Sequence, residues 1–112
     1  MSDCIFCQIV EGKVADILYE DDRIIVIEDI NPQAPIHYLL IPKEHIPTLW
    51  DLGEGQAGLV DHIYQVAARL AKEEGLDEGF RLVSNCGSAG GQTVYHIPFH
   101  LLGGRKMQWP PG

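Results

Sequence analysis

The sequence predicts one α+β domain, in which an antiparallel sheet packs against a single long helix. Short apolar segments separated by brief connections recur along the chain, and this arrangement favours antiparallel pairing of neighbouring strands. One segment repeats apolar residues at helical spacing over several turns, at Leu59, Ile63, Val66 and Leu70. The length of 112 residues suits one hydrophobic core, so residues 1–112 are predicted to form one domain that ends in a tail over residues 104–112.

A short helix and three strands are predicted in the first half of the chain. The helix covers residues 4–11, and the strands cover residues 14–19, 23–29 and 37–41. The four consecutive apolar residues from Ile24 to Ile27 indicate a strand that is covered on both faces. The segment from Asn31 to Pro35 contains two prolines and must turn, because proline fixes φ and withholds a backbone donor.

The long helix and two more strands are predicted in the second half. Asp51 and Glu54 have the spacing of an N-capping pair, and Gly75 is a suitable C-terminal stop, so we expect the helix between these positions. The two strands cover residues 80–85 and 94–102, and a glycine-rich loop lies between them.

Composition and charge exclude several classes of protein. Sixteen acidic against eight basic residues give a net charge of -8, so the overall field repels nucleic acids and any bound phosphate must be held locally. No apolar run approaches the roughly 18 residues of a membrane span, and the first residues do not resemble a signal peptide. We therefore expect a cytoplasmic protein without a nucleic-acid or membrane partner. The odd number of cysteines, three, argues against a secreted disulfide framework.

The last predicted strand carries His96, Pro98 and His100 on one face. Side chains on a strand alternate between faces, so these three positions project together at intervals of about 7 Å. The preceding loop, Ser88 to Thr93, can turn backbone N–H groups and a hydroxyl toward an anion. On composition alone, two such histidines are as often ordinary core or surface residues as functional ones.

Four segments resemble the histidine triad (HIT) family. The stretch from Gly91 to Arg105 is similar to the family signature His-φ-His-φ-His-φ-φ, where φ is apolar, and residues 29–35, 41–45 and 109–112 resemble other family segments in the same order. The likeness covers almost the whole chain and is greatest to the nucleoside phosphoramidate hydrolases. It implies a five-stranded antiparallel sheet with one long helix and a short N-terminal helix. It also implies a homodimer in which two sheets form one continuous ten-stranded sheet.

The resemblance implies a purine nucleoside monophosphate, AMP or GMP, or its phosphoramidate as the ligand. In the family, the middle histidine of the triad attacks the α-phosphorus and forms a nucleotidyl-histidine that water then hydrolyses. In this chain that position is occupied by Pro98, whose ring nitrogen has neither a proton nor a usable lone pair. Because loss of a nucleophile costs a factor of roughly 10⁴ to 10⁶ in turnover, we expect binding with strongly impaired hydrolysis.

The resemblance also implies which residues contact the nucleotide. Asp29 is expected to accept hydrogen bonds from the ribose, and His100 is expected to donate to the phosphate or the leaving group. His37 corresponds to a histidine that orients the nucleophile from a neighbouring strand. The implied nucleotide-binding residues are Ile27, Asp29, Ile30, Asn85, Gly91, Gln92, Thr93, His100 and Trp109. Trp109 would reach the partner's pocket; the alternative is an exposed side chain on a loose end.

Cys4 and Cys7 have the C-x-x-C spacing that lets two thiolates reach one metal ion from a single turn. Family members with this pair complete a zinc site with histidines that correspond to His45 and His96. A closed Cys₂His₂ site leaves no open position for water, so the zinc would be structural. The alternatives are a pair of buried thiols or a thioredoxin-like redox pair, and no βαβ pattern follows the motif to support the latter.

Three functions remain open from the sequence. The first is the family's phosphoramidate hydrolase, here strongly impaired, and the second is a nucleotide-binding module without turnover. The third is a zinc-stabilised dimeric interaction scaffold without catalysis.

Overall fold

The computed structural model describes residues 4–12 and 16–112. Its helices and strands are α1 (Ile5–Val10), β1 (Ile17–Glu20), β2 (Ile24–Glu28), β3 (Ile36–Pro42), α2 (Ala57–Glu73), β4 (Phe80–Val83) and β5 (Phe99–Gly103). The strands form one sheet in the order β1-β2-β3-β5-β4, and all neighbours are antiparallel. The predicted α+β class is therefore confirmed. None of the helices in the described ranges is long and apolar enough to cross a membrane.

Apolar clusters cover both faces of the sheet. On one face α2 packs through Ile63 and Leu70 against a set that includes Ile24, Val26, Leu40, Phe99 and Leu101. On the other face α1 packs through Phe6 and Ile9 against Ile25, Ile27, Leu39 and Ile41. The uninterrupted apolar run of β2 follows from this arrangement, because successive side chains on the strand enter different clusters.

The long helix begins at Ala57, so the predicted capping pair of Asp51 and Glu54 is wrong. Asp51 instead closes a short 3₁₀ turn, where its carboxylate accepts a hydrogen bond from the Thr48 N–H at 3.1 Å. The Thr48 hydroxyl accepts from the Trp50 N–H, which completes a capping box on that turn. At the other end of the helix Gly75 has a φ of 72° and follows the last turn, as predicted.

The last strand begins at Phe99, so the prediction that it starts at Val94 is wrong. Pro98 has no N–H with which to extend the ladder, and Ile97 donates its N–H to the Ile46 carbonyl at 2.7 Å, outside the sheet. Alternation of side chains nevertheless continues through this segment, since Ile97 joins the cluster under α2 while His96 contacts α1. The fourth strand also ends two residues before the predicted Asn85. The predicted first strand includes residues 14 and 15, which lie outside the described residues.

Candidate functional site

A pocket of about 680 Å³ lies between α1 and the sheet. Its floor contains Ile27, Leu39 and His100, which are direct partners across three neighbouring strands. Neighbouring strands lie about 4.8 Å apart, so this row spans roughly 10 Å from the apolar end to the histidine. Three residues of α1 line the facing wall: Ile5, Phe6 and Ile9. The pocket therefore has an apolar end at β2 and a polar end at β5.

The loop from Asn85 to Thr93 lines the polar end of the pocket. It turns sharply at Gly87 and Gly91, whose φ values of 73° and 90° lie in the region that favours glycine. Gln92 is buried, and its side-chain oxygen accepts a hydrogen bond from the Gly87 N–H at 2.9 Å. Its side-chain nitrogen donates to the carbonyls of Pro47 and Val94. The side-chain amide of Gln92 thus braces the loop from within.

Pro98 is buried and lines the pocket next to His100. Among the described residues that line the pocket, His100 is the only histidine. The structure therefore places Pro98 in the pocket, and the amide nitrogen of its ring cannot attack an electrophile.

A chain of hydrogen bonds fixes the proton positions on two histidines. The backbone N–H of Gln33 donates to Nδ1 of His37 at 3.0 Å, so the ring proton of His37 is on Nε2. That nitrogen lies 2.9 Å from Nδ1 of His100 and donates to it, which leaves the proton of His100 on Nε2. Burial and the neighbouring His37 lower the pKa of His100, so its ring is neutral near pH 7. His100 is consequently a neutral N–H donor at the polar end.

Asp29, His37 and His100 bring three possible metal-ligand atoms within 4.8 Å of one another. The Asp29 carboxylate lies 3.4 Å from Nε2 of His37. A metal at this point would require an unprotonated Nε2 on His37, whose other nitrogen already accepts from Gln33. Such a ring would be an imidazolate, so the chemistry of the three residues favours a hydrogen-bonded chain rather than a metal site.

The turn between β2 and β3 positions Asp29 at the rim of the pocket. Its carboxylate accepts from the Asn31 N–H at 2.8 Å, and its own N–H donates to the His37 carbonyl. Ile30 lines the same rim and is fully exposed. Trp109, by contrast, is 83% exposed and does not line the pocket of its own chain.

A second group of side chains lies at the N-terminus of α1. Cys4 and Cys7 come from that helix, His45 follows β3, and His96 precedes β5. The sulfur of Cys7 lies 3.1 Å from Nδ1 of His45 and 3.3 Å from Nδ1 of His96, and the two Nδ1 atoms are 3.1 Å apart. Around a tetrahedral zinc ion two nitrogen ligands lie roughly 3.3 Å apart and a nitrogen and a sulfur ligand roughly 3.6 Å apart, so small outward movements would accommodate a metal.

The protonation of His96 also fits a metal ligand. Its Nε2 donates to the Pro42 carbonyl at 2.7 Å, which leaves the lone pair of Nδ1 directed toward the two sulfurs. The ring is fully buried, and burial is the main cause that lowers its pKa, with His45 adding to the effect. The four residues named from the sequence thus form one cluster that can hold a metal ion.

Two parts of the site did not emerge from the sequence. The wall formed by Ile5, Phe6 and Ile9 has the spacing of one helix face, a signal that could have placed these residues at the pocket. The contact between the Gln33 N–H and His37 could not be predicted from a sequence pattern, because it depends on the shape of the turn between β2 and β3.

Comparisons with known proteins agree with this geometry. Residues 3–109 match the family described as "Scavenger mRNA decapping enzyme C-term binding". A 14 kDa zinc-binding protein of Brassica juncea is 45% identical over 113 residues, which cover 98% of this chain and all of the relative. A crystal structure of a HIT family hydrolase from Legionella pneumophila is 50% identical, with a TM-score of 0.96 over 98% of this chain and all of that one.

The structure of a histidine triad nucleotide-binding protein from Candida albicans is also similar. It is 31% identical, and the superposition covers 96% of this chain and 83% of that chain with a TM-score of 0.81. Matches of this extent in both sequence and structure establish the family of this chain. The chain belongs to the histidine triad (HIT) family.

Proposed function

We propose that this chain binds a purine nucleoside monophosphate, AMP or GMP, or the corresponding phosphoramidate, and that it hydrolyses the phosphoramidate very slowly. The main support is the row of Ile27, Leu39 and His100, which joins an apolar end to a polar end over roughly 10 Å. A nucleoside monophosphate has an aromatic base and a phosphate at a comparable separation. The similarity to a protein described as nucleotide-binding supports the same ligand class.

The base occupies the apolar end, between Ile27 and the wall formed by α1. Ile30 is fully exposed at the rim, so a base beneath it would remove apolar surface from water. Asp29 lines the rim of the pocket, and its carboxylate has lone pairs beyond the one used by Asn31. These lone pairs accept hydrogen bonds from the ribose hydroxyls.

The phosphate is held by neutral donors at the polar end. Asn85, Gly91 and Thr93 line this end and supply amide and hydroxyl donors, and His100 adds its Nε2 proton. Gln92 contributes indirectly, by bracing the loop. An arrangement of fixed dipoles suits a chain with a net charge of -8, because it attracts an anion without a cationic side chain.

Pro98 separates binding from hydrolysis. In a family enzyme an imidazole lone pair attacks the α-phosphorus, the P–N bond breaks and the amine leaves with a proton; water then cleaves the nucleotidyl-histidine. The amide nitrogen of Pro98 cannot begin this sequence. Nor can His100 replace it, because its Nδ1 accepts from His37 and its Nε2 carries a proton. Turnover is therefore reduced by roughly 10⁴ to 10⁶ relative to an intact triad.

The cluster of Cys4, Cys7, His45 and His96 binds zinc as a structural ion. Two thiolates and two imidazoles are a ligand set that zinc prefers, and a relative with 45% identity is described as zinc-binding. All four positions are taken by protein side chains. A zinc ion here would link α1 to the segment before β5 and would have no open position for a substrate.

The functional unit is a homodimer. Strand β4 is at the edge of the sheet, where its free side presents unpaired backbone groups, and Phe80 on this strand is 42% exposed. Pairing of two such edges by a two-fold axis covers them and produces a continuous ten-stranded sheet. In that dimer the exposed Trp109 reaches the partner's pocket. Sedimentation equilibrium tests this assembly, and a monomer at micromolar concentration would contradict it.

Isothermal titration with AMP tests the proposed ligand. We expect saturable heat with a millimolar or tighter Kd, and its loss in the Asp29→Ala variant. Asp22→Ala is the matched control, since Asp22 is an exposed aspartate that does not line the pocket. Absence of heat at millimolar AMP and GMP would leave the zinc-stabilised dimeric scaffold as the function.

A further inference from the structure

Helix α1 belongs to both sites at once. Cys4 is its N-cap residue and Cys7 lies in its first turn, so the helix supplies half of the metal cluster. Phe6 and Ile9 of the same helix line the pocket and are buried against the sheet. A movement of α1 would therefore displace two metal ligands and one wall of the pocket together.

The segment before β5 also contributes to both the metal cluster and the pocket. His96 is a member of the cluster, and Pro98, two residues later, lines the pocket; both are buried. The ring of Phe6 meets the ring of His96 edge-on, with 5.9 Å between the centroids. A residue of the pocket wall thus contacts a metal-ligand residue directly.

The short length of α1 makes this connection energetically important. A helix of six residues is far below the roughly 12 to 15 residues at which isolated helices become marginally stable in water. Its position depends on tertiary contacts, which include the apolar packing of Phe6 and Ile9 and the polar cluster at its N-terminus. An ion that joins four donors in that cluster would order the helix, and so would a base packed against its other face.

From these contacts we propose that metal binding and nucleotide binding are positively coupled through α1, so that the metal cluster regulates the affinity of the pocket. This inference rests on the proposed function. Each ligand orders the same helix, so the second to bind loses less conformational freedom than it would alone. Coupling free energies between sites correspond to factors of about 5 to 150 in affinity, and the factor is the same in both directions.

The first test measures AMP affinity with and without metal. We expect the Kd for AMP to rise by a factor between about 5 and 150 when the zinc-loaded protein is stripped by a chelator, and to return when zinc is added back. Circular dichroism monitors whether the stripped protein keeps its fold. A Kd that stays within twofold in a folded, zinc-free protein overturns the coupling. A zinc-loaded protein that binds no AMP overturns the proposed function and the coupling with it.

The second test uses the reciprocal effect and needs no zinc-free protein. A chromophoric chelator competes for zinc with the wild-type protein at zero and saturating AMP. The zinc Kd should fall by the same factor as the AMP Kd in the first test. Asp29→Ala, which should not bind AMP, controls for direct binding of zinc by the nucleotide and should show no shift. An equal zinc Kd with and without AMP in the wild type overturns the inference.

A variant that keeps all four metal ligands locates the coupling. Phe6→Ala removes the ring that lies between His96 and the pocket, so zinc should still bind while the coupling factor falls toward one. Tyr64→Ala is the control, because this exposed residue of α2 touches neither site, and it should retain the full factor. If Phe6→Ala kept the wild-type coupling factor, the proposal that α1 couples the two sites would be contradicted.

Discussion

The Nε2 atom of His37 donates to the Nδ1 atom of His100 across 2.9 Å, and this contact sets the protonation of the histidine in the pocket. Since Nδ1 of His37 accepts from the backbone of Gln33, the direction of donation is fixed along the whole chain of contacts. The outcome is a pocket histidine whose Nε2 carries a proton and whose Nδ1 has no free lone pair for attack.

Replacement of His37 should therefore weaken ligand binding. In His37→Phe, Nδ1 of His100 loses its donor and the ring can adopt the other tautomer, so AMP affinity should fall roughly fivefold, about 1 kcal/mol. His37→Gln keeps an N–H donor and should lose less. Nitrogen chemical shifts of His100 measured by NMR report the tautomer directly. An unchanged tautomer together with an unchanged Kd in His37→Phe would contradict the relay.

Restoration of the middle histidine should restore hydrolysis. We expect Pro98→His to hydrolyse an adenosine phosphoramidate at least a thousandfold faster than the wild-type chain, because it returns a nucleophilic imidazole to the pocket. The AMP affinity of the two proteins should be similar, since the phosphate donors are unchanged. Equal rates of amine release would show that position 98 does not determine the reaction.

Metal content should depend on the four clustered residues and not on the third cysteine. Protein purified in the presence of zinc should contain about one ion per chain, and His96→Ala or Cys7→Ser should contain far less. Cys86→Ser is the matched control, because Cys86 lies outside the cluster. Elemental analysis by mass spectrometry provides the measurement. Equal zinc in the Cys7→Ser and Cys86→Ser proteins would rule out the site.

Asp21 should stabilise the fold at neutral pH and lose this effect in acid. Burial raises its pKa, but hydrogen bonds from the backbone of Arg23 and Ile24 and from Tyr19 and His62 outweigh it and hold the pKa well below its ordinary value. A carboxyl with a lowered folded-state pKa stabilises the fold above its unfolded pKa of about 3.9, and the stabilisation is lost as pH falls toward the folded value.

The stability difference between wild type and Asp21→Asn should follow this dependence. We expect Asp21→Asn to lower the free energy of unfolding by about 1 kcal/mol at pH 7, after allowance for solvent screening, and the difference should shrink below about pH 4. Urea unfolding at several pH values measures it. A difference that stays constant down to pH 2 would mean that the charge of Asp21 does not matter.

The sequence predicts the sheet and the long helix well, since these depend on periodicity. The resemblance to the family, added to the C-x-x-C spacing, names the four residues of the cluster. The sequence predicts the start of the last strand poorly. The signature pattern extends back to His96, but Pro98 has no ladder donor and Ile97 pairs with Ile46 instead.

Hydrogen bonds outside the regular elements account for the other differences. The helix starts later than expected because Asp51 caps a preceding turn together with Thr48. Gln92 lines the pocket, but its side-chain amide is already engaged within the protein. It accepts from the Gly87 N–H and donates to the Pro47 carbonyl. Tertiary contacts of this kind decide whether a polar side chain is available to a ligand or bonded to the protein backbone. The spacing of residues along the chain does not reveal them.

The floor of the pocket has an evolutionary consequence. Its three residues come from three strands, so the floor is formed by the sheet as a whole and not by one segment of the chain. Under the proposed function, reactivity depends instead on one codon, at a position whose neighbours are already arranged. A lineage with this architecture could then abandon or regain catalysis in a single mutational event while it keeps the same pocket.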